Sequence, residues 1–62
     1  MNEAATIKFI ELESKYEAVA IVRYTEASVA VCLSIKRNGD LEVLMSKDDA
    51  RKLIDALSKA VG

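Results

Sequence analysis

The chain contains no histidine and only one cysteine, Cys32. The missing imidazole removes the usual activator of a serine or cysteine nucleophile and rules out a Cys/His zinc site. With one thiol, no internal disulfide can form. Proline is absent and glycine occurs only at Gly39 and Gly62, so nothing reads as a linker or a low-complexity tract. The aromatic residues are Phe9, Tyr16 and Tyr24 alone, which leaves little material for stacking on bases. No apolar run approaches the ~20 residues of a membrane span. The first residues, MNEAATIKF, lack the basic start and apolar core of a signal peptide. The expected compartment is the cytoplasm, where a lone thiol stays reduced. No cofactor and no metal is expected.

The chain has 62 residues, which predicts one domain over 1–62. So short a chain buries only ~60% of its extended surface and is marginal as a lone monomer. Small domains are commonly stapled by disulfides, a metal or a partner chain. Only the partner is open to this sequence. Nine basic residues oppose ten acidic ones, for a formal charge of −1. That balance gives no global attraction to nucleic acid or an anionic membrane.

What is present is clearest between Ser34 and Leu57. Val29, Val31, Leu33 and Ile35 alternate with smaller or polar residues, the period of a half-buried strand. Leu41, Val43 and Met45 repeat that period after Asn38-Gly39, a strong hairpin signal. A loop of Arg37, Asn38 and Gly39 sets Ile35 opposite Leu41 and Leu33 opposite Val43. A one-residue slip would flip every side chain to the other face. Gly39 suits a left-handed backbone because it has no Cβ.

A helix follows, expected from about Lys47 to Ala60. Ser46 is placed as its N-cap, with Asp49 three residues on. Asp48 and Asp49 favour the positive end of the helix dipole, and Lys59 the negative end. Ala50, Leu53, Ile54, Leu57 and Val61 make one apolar stripe.

Upstream, Met1 to Ala5 reads as a loose lead-in and Thr6 to Glu13 as a first strand, with a bulge near Phe9-Ile10 left open. Glu17 to Thr25 reads as a second strand. A turn that includes Thr25 sets Tyr24 opposite Val29 and Val22 opposite Val31. Short connections favour an antiparallel meander. The expected fold is therefore α+β: a four-stranded antiparallel meander sheet with one C-terminal helix packed on one face. The face of Val31, Leu33 and Val43 is the expected bed for that helix. The opposite face carries Val19, Ile21, Cys32 and Leu44, an apolar set with a polar rim and the expected protein interface.

Residues of chemical interest are few. Cys32 lies within an apolar strand and reads as a small hydrophobe. Asp48 and Asp49 read as capping and dipole partners. Arg23, Tyr24, Lys36 and Arg37 are the candidate nucleic-acid set, able to contact phosphate and stack on a base. The order of elements, entered through LMSKDDARKLIDAL, resembles the single-stranded-DNA-binding transcriptional coactivator family. In that family the strands bind nucleic acid and the helix supports a dimer. The likeness covers the architecture and one generic strand–cap–helix segment. The basic, aromatic-rich strand face of that family is not evident in this sequence, so no binding residue is carried over.

These features lead to the expectation of a small non-enzymatic protein-interaction or inhibitor-type protein, acting through sheet and helix surfaces as a homodimer. A phage or mobile-element origin would suit so small a chain. The alternative is a module that binds single-stranded DNA or acts in transcription.

Overall fold

The computed structural model describes residues 1–62. Four strands and one helix follow in chain order: β1 (Asn2–Ile10), β2 (Glu17–Tyr24), β3 (Ser28–Ile35), β4 (Gly39–Ser46) and α1 (Lys47–Val61). The sheet is an antiparallel meander of order β1-β2-β3-β4, as the short connections require.

The β2–β3 pairing is the one read from the alternation, with Tyr24 opposite Val29 and Val22 opposite Val31. Its turn is held by Thr25. The Thr25 Oγ1 accepts from the amides of Ala27 and Ser28 at 3.2 and 3.1 Å, and the Thr25 amide donates to the Ser28 carbonyl at 2.9 Å. A hydroxyl in this role replaces main-chain partners that a turn cannot offer.

The β3–β4 hairpin differs from expectation by two residues. Ile35 lies opposite Gly39, Leu33 opposite Leu41 and Val31 opposite Val43. The loop is thus Lys36-Arg37-Asn38, closed by the Asn38 amide on the Ile35 carbonyl at 3.1 Å. Arg37 takes the left-handed backbone at φ 75°, and Gly39 takes it as well at φ 84°. The shift sets Ser34 opposite Asp40, whose carboxylate accepts from the Ser34 hydroxyl at 2.5 Å. It moves no side chain to the other face, because the slip is by two.

The first strand starts earlier than expected and ends earlier. Asn2 to Ala5 pair with β2 instead of forming a lead-in, and the pairing slips between Glu3 and Ala5. The bulge therefore sits at Ala4, not near Phe9-Ile10. Past Ile10 the chain turns about Glu11. Its carboxylate accepts from the amides of Glu13 and Ser14 at 2.7 and 2.9 Å. Lys15 takes a φ of 65° in the same turn.

The helix has the expected cap: the Ser46 side chain accepts from the Asp49 amide. Its packing is the main departure. It touches β3 and β4 only, and every residue from Arg51 to Gly62 is exposed. Leu53, Ile54 and Leu57 are 40%, 60% and 56% exposed, so the start of the stripe meets the sheet and the rest is left uncovered. The reason lies in the connection. Ser46 is both the last residue of β4 and the helix cap, and no loop residue lets the chain turn back over the sheet. Only Ala18 and Ala30 are buried.

Candidate interaction surface

Side chains on a strand alternate between faces, so the register sorts every strand residue onto one of two surfaces. One, face A, is built of four cross-strand rows. They are Ala5-Val22-Val31-Val43, Ile7-Ala20-Leu33-Leu41, Phe9-Ala18-Ile35-Gly39 and Asn2-Tyr24-Val29-Met45. No Asp, Glu, Lys or Arg stands in any of them. A surface so composed belongs against another apolar layer. It is open instead. Ile7 is 53% exposed, Leu33 48% and Leu41 62%.

One corner of face A is hollow. Ala18 and Gly39 form its floor, and Phe9, Leu33 and Leu41 stand around it, enclosing about 360 Å³. The hollow exists because that row alternates large and small residues. Glu11 and Asn38 supply its polar edge.

The second apolar surface is the stripe of α1. It runs from Ala50 to Val61, with Asp48 and Lys52 on the opposite side of the helix. Arg51 and Lys52 are tied back to Asp48 and Asp49 at 2.8 and 3.5 Å, which holds charge at the start of the helix and away from its apolar line.

The expected interface residues Val19, Ile21, Cys32 and Leu44 do share one surface, face B. Ile21 stands opposite Cys32, and Leu44 opposite Ala30. Leu44 is 65% exposed, and the other three are half-buried. Charged residues interrupt this set. Arg23 pairs with Ala30, Glu42 with Cys32, and Lys8 with Val19. Arg23 and Glu42 approach to 3.8 Å. Face B is thus a mixed surface, and face A is the more continuous apolar one. The signal for this was in the sequence: strand β4 and the helix share Ser46, leaving no residue for a reversal.

The candidate nucleic-acid residues are not brought together. Lys36 and Arg37 lie in the β3–β4 loop, beside the Ala18–Ile35 end of the sheet. Arg23 and Tyr24 lie at the other end of β2, about 20 Å away at the rise of a strand. Arg23 and Tyr24 also point to opposite faces, as adjacent strand residues must. The Arg37 guanidinium sits 5.4 Å from the centre of the Tyr16 ring, a cation–π contact that sequence reading did not anticipate.

The Glu11 carboxyl is displaced downward, because the amides of Glu13 and Ser14 and the Ser14 side chain favour its charged form. Hydrogen bonds to a carboxylate act in this direction. No group of three or more Cys, Asp or Glu is placed to hold a metal ion, and no helix is long and apolar enough to cross a membrane. No protein-family model matches the chain, and no curated protein or solved structure matches it either.

Proposed function

We propose that this protein is a small non-enzymatic interaction or inhibitor-type module whose working surface is face A together with the α1 stripe. The observation that carries the reading is the open face A. Its four rows hold no charged side chain, yet Ile7, Leu33, Leu41 and Val43 remain exposed. Exposed apolar surface of this extent marks a contact with another polypeptide. Burying one such side chain is worth ~1.5–3 kcal/mol relative to leaving it in water. The hollow beside Phe9 gives the contact a shape as well as an area.

Site-specific photo-crosslinking in cells tests the reading. A benzophenone side chain is placed in turn at positions 41, 57 and 44, on face A, the helix stripe and face B. Adducts to polypeptide are expected from positions 41 and 57 and to be several-fold weaker from 44. None from 41 and 57 would show that neither surface is a contact, and equal yields from all three would show that the contact is not confined to face A and the stripe.

A further inference from the structure

We propose that the occupant of face A is the α1 helix of a second copy of this chain, seated reciprocally about a twofold axis. This rests on the reading of face A and the stripe as a protein-binding surface, and it names the partner.

Area is the first argument. The chain exposes 5011 Å². A compact monomer of its 6.8 kDa mass would expose about 4,000 Å² by the usual scaling of surface with mass. The excess is about 1,000 Å² per chain, and a stable interface takes about 800 Å² from each partner. The uncovered surface is therefore about what one dimer contact removes.

Complementarity is the second. The chain carries two apolar surfaces of different form, a sheet face and a helix stripe. Each is the usual covering of the other, and the direct β4–α1 junction at Ser46 keeps them apart within one chain. A second copy supplies both missing halves at once. Its helix covers the first sheet while its sheet receives the first helix. This is a closed, isologous contact in which two seats are filled by one symmetry operation.

Dimensions and charge agree. Fifteen helical residues span about 22 Å at 1.5 Å each. The four strands of the sheet span about 14 Å between their outer axes at the usual strand spacing, so one helix reaches across all of them. Face A carries no charge, and Asp55 and Lys59 fall on the helix side away from the stripe, so they stay in water when the stripe is seated. The hollow over Ala18 and Gly39 has room for a leucine or isoleucine side chain, and the stripe offers Leu53, Ile54 and Leu57.

A complementation experiment distinguishes this arrangement from face-to-face or helix-to-helix pairing. Leu41→Lys alters face A alone, and Leu57→Glu alters the helix alone. In either variant by itself, both seats combine an altered surface with an unaltered one. In a mixture, one seat is wholly unaltered and the other joins Glu to Lys. Light scattering should show the unaltered chain as a dimer, each variant as a monomer, and the equimolar mixture as a dimer again. Far-ultraviolet circular dichroism follows the fold throughout. Should a variant unfold alone, recovery of both mass and dichroism on mixing still supports the seat, and no recovery overturns it. Dimers that survive both substitutions and are lost with Leu44→Glu would place the contact on face B and overturn it. An unaltered chain that stays monomeric at high micromolar concentration overturns it too. Crosslinks from positions 41 and 57 to a different protein would then leave the interaction surface standing without the second copy.

Discussion

The hydroxyl of Ser46 accepts from the amide of Asp49 at 3.1 Å while Ser46 itself closes the β4 ladder opposite Ser28. One residue thus ends the sheet and starts the helix. Ser46→Ala should lower stability by ~1 kcal/mol, the usual loss for removing a cap, and Ser46→Asp by much less. Thermal melts followed by circular dichroism give both values. Equal losses would show that the strand pairing of Ser46 matters and its hydroxyl does not.

Gly39 has φ +84°, and a Cβ built there meets no atom within 4 Å. The penalty for a side chain is therefore in the backbone and not in a clash. Gly39→Val should cost at least the ~1–2 kcal/mol that a left-handed residue carries, and Gly39→Ala should cost less than valine. An unchanged midpoint in urea for the valine variant would refute the left-handed assignment.

Glu11 makes stability depend on acid. Its pKa in the fold lies below its ordinary value of 4.5, so the unfolded chain binds the proton more readily. The contribution is fully present above the unfolded pKa. It is lost as pH falls from about that value through the lower folded one. Glu11→Gln should remove this part of the acid limb, so that variant and unaltered chain differ less at pH 3 than at pH 7. Melting temperatures at the two values decide it, and a gap that widens in acid would reverse the sign.

Arg23 and Glu42 are separated by 3.8 Å, with side chains 43% and 54% exposed. Pairs this open to water are worth ~0–1 kcal/mol and weaken with salt. Glu42→Gln should therefore shift the urea midpoint only slightly, and the shift should shrink in high salt. A large, salt-independent loss would mean that the pair is covered in solution.

The β2–β3 pairing was legible because its turn residues and apolar alternation point to one register. The helix was legible because Ser46, Asp49 and the five-residue stripe agree on its start and its apolar side. The β3–β4 register was not, since a slip of two leaves every apolar residue on the same face. The Ser34–Asp40 pair that accompanies the observed choice has no signature in hydrophobic pattern. Asn2 to Ala5 escaped notice for a related reason: ladder hydrogen bonds are made by main chain, and Asn2 and Glu3 offer no apolar cue. The placement of α1 is not legible, because periodicity shows that a stripe needs a cover without saying which chain provides it. On the sequence alone the residues of face A read as helix bed and not as surface.

The bulge at Ala4 has a bearing on how large an assembly can become. A bulge bends and twists the strand that carries it, and an edge so distorted is a poor template for a further strand. The Thr6 hydroxyl donates to the Glu3 carboxylate at 2.9 Å across the irregularity, adding a charged group to that margin. The β1 border therefore resists sheet extension at its Asn2–Ala5 end, leaving the β4 border the more regular one. Head-to-tail stacking of sheets into a filament needs two receptive borders on every chain, and here one of the two is distorted at its start.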